Sequence, residues 1–119
     1  MTRQCVQILK LQVHTGTYKP ALFADVAEAT VDDLLNLNVK SVIYGIKYAM
    51  AAMKEKGTKG SILVNSSAMS HVAKSWAKGG GVYSASKAAA DMLVQYAAAE
   101  GADSGAPPAL HVWWAAGAQ

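Results

Sequence analysis

The chain has 119 residues, 52% of them apolar and 16% charged, which allows one buried core and excludes a two-domain enzyme, a long repeat array and a disordered segment. Eleven Lys and Arg against eight Asp and Glu leave a net charge of +3, yet the basic residues are dispersed. The densest group, Lys54, Lys56 and Lys59, is interrupted by Glu55 and Gly57 and reads as a solvated helix end, so no nucleic-acid partner is expected.

Cys5 is alone, which excludes an internal disulfide and a cysteine-based zinc site. Apolar runs broken by Lys47 and Asp91 fall short of the ~20 residues of a membrane span. Residues 1–13 are too polar for a secretory signal, and a cytoplasmic protein is the expectation.

In chain order, Val6 to Val13 is a modest strand interrupted by polar residues, and His14 to Pro20 is turn chemistry. Thr30-Val31-Asp32-Asp33 resembles a capping box that opens a helix. Leu35, Val39, Val42, Ile46, Ala49 and Met53 then recur at three- and four-residue intervals as an amphipathic stripe, closed by Gly57. After Gly60, Ser61 to Asn65 has the length and composition of a parallel strand buried on both faces, with Ser66 and Ser67 at its C-terminal end. A polar stretch leads to Gly79-Gly80-Gly81. A second helix runs from Val82 to Glu100, with Ala88, Met92 and Tyr96 on one side and Gly101 as its stop. Asp103 to Pro108 is a loop, and Ala109 to Trp114 a last strand.

This order of strand, helix, strand, helix, strand predicts an α/β fold, a parallel sheet of about three strands with both helices on one face. The other face is left bare, as in half of a doubly wound architecture.

The chemistry-bearing residues fall at the C-terminal edge of that sheet, where open α/β folds place ligands. Tyr83 and Lys87 are four apart on the second helix and share a face. A free phenol titrates at about pH 10, and an ammonium beside it favours the phenolate. Alone, Tyr-x-x-x-Lys is a common coincidence in a chain with five tyrosines. Read one by one, Ser66 and Ser67 are also ordinary strand-end turn residues, Asn38 an exposed helix residue and Tyr83 a core tyrosine.

Together, however, Asn38-Val39-Lys40-Ser41, the Ser66-Ser67 pair and Tyr83-Ser84-Ala85-Ser86-Lys87 stand in an order that resembles the short-chain dehydrogenase/reductase family. The resemblance covers about Leu11 to Glu100 and is best from Asn38 to Lys87. It implies a Rossmann-like NAD(P)-binding fold and an oxidoreductase that interconverts an alcohol and a carbonyl by hydride transfer, its substrate a small-molecule alcohol or ketone. Under it Tyr83 would be the general acid/base. Lys87 would favour the phenolate and bind the nicotinamide ribose, Ser67 would hold the substrate oxygen, and Asn38 would hold a water of a proton relay. The cofactor would be NAD or NADP, its binding weak, and no metal is required.

The departures from the family pattern are specific. The glycine-rich Thr-Gly-x-x-x-Gly-x-Gly turn has no counterpart, and Gly79 to Gly81 reads as active-site loop. Of the family's Asn-Asn-Ala-Gly segment only Gly16 is matched, which makes it a cofactor-side residue. The resemblance therefore implies that residues 1–119 form a single incomplete domain. It would lack the first three strands and the C-terminal substrate loop, and would have little or no dehydrogenase activity by itself. The alternatives are an interaction module and a non-functional truncated product. The module would pair as a homo- or hetero-oligomer through the two helices, with Val42, Ile46, Ala90 and Leu93 at the contact. His14, His71 and His111 are too scattered for a metal site. His71, in the loop after Ser67, reads as a plain solvent-exposed histidine, with contact to substrate as the alternative. Trp76, Trp113 and Trp114 read as packing residues, or residues exposed by truncation, rather than a base-stacking platform.

Overall fold

A computed structural model describes residues 9–13, 16–58, 60–73, 75–103 and 109–114. The first residues of the expected N-terminal strand, His14 and most of the 103–108 loop lie outside them. Strand β1 (Leu9–Val13), helix α1 (Glu28–Leu35), a π-helical turn (Asn36–Lys40) and helix α2 (Ser41–Lys56) come first. Strand β2 (Gly60–Ser66), a 3-10 turn (Ala68–Ser70), helix α3 (Gly81–Asp103) and strand β3 (Ala109–Trp114) follow. The three strands are parallel in the order β1-β2-β3, with Val13 opposite Val64 and Ser66 opposite Trp114. This is the expected α/β arrangement, a partial Rossmann-like sheet.

Both main helices cover one face of β2. Val42, Ile46, Ala49 and Met53 of α2 meet Ile62 and Val64 of β2 and Ala90, Val94 and Ala97 of α3 in one buried cluster. Side chains on a strand alternate between faces. Ile62, Val64 and Ser66 are accordingly buried, while Ser61, Leu63 and Asn65 are only partly so. The expectation of a strand buried on both faces is thus corrected to one.

The first helical stretch departs from its expected start. Helix α1 begins at Glu28 on Ala27, whose carbonyl accepts from Thr30 and Val31, and no side chain caps it. Thr30 lies inside the helix rather than at its cap. Glu28 complements the dipole of the first turn.

The inward stripe is also different at its head. Leu34 and Asn38 are fully buried, whereas Leu35 is 41% exposed and Val39 partly buried. The π turn is the reason. It places more residues in a turn than an α-helix does, so residues spaced by four, Leu34, Asn38 and Val42, stay in line across it. At the far end Gly57 takes φ 59°, its N–H donating to Lys54 O and that of Thr58 to Met53 O. That is the double bond of a Schellman stop.

Helix α3 packs on the core through a face other than that of Met92 and Tyr96. Ser86, Ala90, Val94, Ala97 and Gly101 are buried, whereas Met92 is 52% and Tyr96 65% exposed. An alanine-rich helix carries little contrast between its sides, and here the small residues are the ones that pack. Gly101 continues the helix because it lacks the positive φ of a stop. For the same reason the suggested partner contact does not hold as drawn: Val42, Ile46 and Ala90 lie in the chain's own core and Leu93 packs against it. The large apolar residues that α2 and α3 expose are Ile43, Tyr44, Tyr48, Met92 and Tyr96. Among the described residues no helix is long and apolar enough to cross a membrane.

Candidate active site

At its C-terminal end β2 splits the serine pair. Strand alternation sends Ser66 to the core side, 3% exposed, and leaves Ser67 partly buried at the start of the following turn. Ser67 is extended, and its Oγ accepts from the Met69 N–H at 3.2 Å, capping that turn. Just before the pair, the Asn65 carbonyl accepts a hydrogen bond from Lys87 Nζ at 3.1 Å. This bond ties the strand edge to the second turn of α3.

The first turns of α3 carry Tyr83 and Lys87 on one face, with Lys87 Nζ 6.0 Å from the Tyr83 ring centroid. Tyr83 is partly buried and Lys87 only 3% exposed. The Tyr18 ring meets the Tyr83 ring edge-on, centroids 5.0 Å apart, a favoured aromatic geometry. Gly16 lies against the lysine. A Cβ built on it would come within 2.8 Å of Lys87 Nζ and 3.6 Å of Asn38 Oδ1, so only glycine lets the chain pass there undisturbed.

Asn38 is the brace. The π turn aims its carboxamide inward, where Nδ2 donates to Thr17 O at 3.1 Å and Ser86 Oγ at 2.9 Å, and Oδ1 accepts from Thr17 N–H at 2.9 Å. Ser86 passes the contact on, donating to Tyr83 O at 2.6 Å. One buried side chain thus links the Gly16–Thr17 segment, the π turn and the Tyr83 turn, and Asn38 is not the exposed helix residue it resembled in isolation.

The glycine run has a packing role. Gly79, at φ 85°, accepts from Ala21 N–H at 3.0 Å, and a Cβ there would stand 3.0 Å from Ala21 N. A Cβ on Gly80 would come within 2.5 Å of Met69 Cε, and one on Gly81 within 2.5 Å of Phe23 Cζ. The segment from Thr17 to Phe23 is therefore a strap laid over the glycines at the head of α3.

The structure brings Asn38, Tyr83, Lys87 and Gly16 together around one point. Ser67 lies two residues beyond the carbonyl that holds Lys87, its Oγ oxygen engaged by Met69. Sequence reasoning missed Thr17, Tyr18, Ser86 and Asp91. Only Asp91 carried a signal, a carboxylate one helical turn after Lys87 on an alanine-rich face. His71, 46% exposed at its side chain, has Nε2 3.4 Å from Asp91 Oδ2. A cleft of about 350 Å³ beside it is lined by Ser70, His71, Ala77, Ser84 and Ala88, and not by Tyr83, Lys87 or Ser67.

Burial holds the Lys87 ammonium below its usual pKa, and the negative charge of Asp91 opposes that only in part. Between the lowered folded value and the unfolded value of 10.5, the unfolded chain binds a proton that the folded chain lacks, so Lys87 makes stability rise with pH through that window. Lys87→Met removes the burial cost. It is expected to be more stable than the parent at pH 7, and the gap should narrow toward pH 10.5. Urea unfolding of both proteins across that range checks the sign; a variant less stable at pH 7 contradicts it.

Comparison with known proteins adds the lineage. The family model described as short chain dehydrogenase matches residues 4–107. No curated protein matches the chain. Among solved structures, a short-chain dehydrogenase from Streptomyces avermitilis is similar at 26% identity and TM-score 0.71, over 88% of this chain and 36% of that one. LigO from Sphingobium sp. strain SYK-6 aligns at 24% identity and TM-score 0.75, over 88% of this chain and 36% of its own. Sorbitol-6-phosphate 2-dehydrogenase from Erwinia amylovora, also at 24% identity and TM-score 0.75, aligns over 88% of this chain and 38% of its own. The last two show likeness of fold. The chain thus spans little more than a third of the length of these proteins.

Proposed function

Because the chain belongs to the short-chain dehydrogenase family, we propose that it carries the proton-transfer side of an NAD(P)-dependent oxidoreductase, interconverting an alcohol and a carbonyl with Tyr83 as general acid/base. The observation that carries this reading is the Lys87 ammonium, 3% exposed, bonded to Asn65 O and one helical turn from the phenol. In the reducing direction the Tyr83 hydroxyl donates its proton to the carbonyl oxygen, and Lys87 stabilises the phenoxide left behind. In the oxidising direction the phenoxide takes the proton of the alcohol. Ser67 holds the substrate oxygen by a hydrogen bond that strengthens as charge develops on it. Asn38 spends both amide hydrogens on Thr17 and Ser86, so a relay water meets it only as an acceptor and must donate to Asn38 Oδ1.

A nicotinamide cofactor, when bound, supplies or takes the hydride. Its ribose suits the hydroxyl and ammonium donors of Tyr83 and Lys87 and the side-chain-free flank of Gly16. The described residues offer no comparable cradle for the pyrophosphate, since Gly79 to Gly81 are filled by Ala21, Met69 and Phe23. Hydride transfer depends on that remote binding energy, so turnover by these 119 residues alone is expected to be slow. The test is a panel of secondary alcohols and ketones with NAD(H) and NADP(H) separately, followed by nicotinamide absorbance. Slow, substrate-dependent turnover that Tyr83→Phe removes supports the reading. Turnover that survives Tyr83→Phe, or none with any member of the panel, removes it.

A second reading is favoured by Tyr44, Tyr48, Met92 and Tyr96, large side chains exposed on α2 and α3. These faces suit a second copy of the chain or a related chain in a homo- or hetero-oligomer.

A further inference from the structure

We propose that Asp91 is a positioning residue of this site, clamping the turn that carries Ser67 onto the helix that carries Tyr83 and Lys87. The proposal rests on the oxidoreductase reading only for what the clamped turn is used for.

Asp91 is 5% exposed, and a carboxylate so buried is tolerated only where partners replace water. Its Oδ2 accepts from Ser70 Oγ at 2.6 Å and faces His71 Nε2 at 3.4 Å. Ser70 lies within hydrogen-bond reach of Ser67 O as well, 2.7 Å from its Oγ and 3.0 Å from its N–H. A serine has one hydroxyl hydrogen, and the charged carboxylate is the stronger acceptor. Asp91 therefore takes the hydroxyl, while the Ser70 amide keeps the turn closed on Ser67. The Ser66 hydroxyl, 3.5 Å from Ser70 Oγ, completes the contact on the strand side.

Two further features set Asp91 apart from a residue that only packs. Its Oδ1 is buried and accepts no hydrogen bond among the described residues, an uncompensated cost. Its charge also acts on Lys87, one turn earlier on the same helix, favouring the ammonium against burial. One carboxylate thus holds the serine turn by a hydrogen bond and the lysine by its field.

These two actions separate by mutation. On the 119-residue chain without ligand, Ser70→Ala breaks the clamp and keeps the charge. The amides of residues 69 and 70 should then exchange about tenfold faster by NMR, with the Lys87 amine titrating where it does in the parent. Asp91→Asn keeps the shape and removes the charge, and the Lys87 titration should move to lower pH. A purely structural Asp91 would leave the lysine titration in place, and that result overturns the proposal. Unchanged exchange in Ser70→Ala overturns it equally, and this change at a partly buried turn residue stands as the second test should Asp91→Asn not fold. Neither readout uses cofactor or substrate, so absence of turnover removes the enzymatic reading without touching these outcomes.

Discussion

Replacing Tyr83 by phenylalanine is expected to lower kcat by about a thousandfold, the usual worth of a positioned general acid, while KM for the alcohol or ketone changes little. The phenyl ring keeps the edge-on contact with Tyr18, and the hydrogen bond from Ser86 Oγ goes to the backbone carbonyl of residue 83 and not to its phenol. The loss should therefore appear in turnover and not in thermal stability. Loss confined to kcat marks an interaction made in the transition state. Equal activity in Tyr83→Phe would return Tyr83 to the role of a packing residue beside Lys87.

The largest stability effect is expected at Asn38. Asn38→Ala takes the Asn38 partner from Thr17 N–H and Thr17 O, both partly buried, and from the buried Ser86 Oγ. Unpaired buried groups of this kind cost about 1–3 kcal/mol each, and partial relaxation brings the expected total to about 3 kcal/mol. For a chain of this size that lowers Tm by roughly 10 °C. Asn38→Asp is the sharper companion, because a carboxylate oxygen in place of Nδ2 would oppose Thr17 O, an acceptor facing an acceptor. It should be no better than alanine at neutral pH. A loss below about 0.5 kcal/mol in both variants, the scale of surface substitutions, would show that the strap holds by other contacts.

What the sequence reveals and what it hides divide along physical lines. The stripe from Val42 to Met53 is legible because a long helix against a core repeats its apolar residues at helical spacing. The head of the same stripe is not, since the π turn breaks the period and exchanges Leu35 for Leu34. The face of α3 is hidden for a different reason: with alanine at so many positions, Met92 and Tyr96 attract the eye while Ala90, Ala97 and Gly101 do the packing. Tyr83 and Lys87 are legible as a local pair one turn apart. Asn38 was marked by its motif, but its contacts reach across 21 and 48 residues. Only the folded chain brings Thr17 and Ser86 to it. Asp91 was visible merely as a charge in an apolar run, and its bond to Ser70 spans 21 residues.

The strap from Thr17 to Phe23 is fastened through backbone atoms at Thr17 and Ala21 and by the Lys19–Asp33 ion pair, and it rests on glycines that offer no side chains to match. Pro20 and Leu22 within it are exposed. Selection can therefore rewrite the outer letters of this segment while its anchors stay fixed, much as a blank in a lock is recut without changing the cylinder. Tyr18 is the strap side chain that meets Tyr83, so a change at that one position would alter what is admitted beside the phenol while the backbone anchors stay in place.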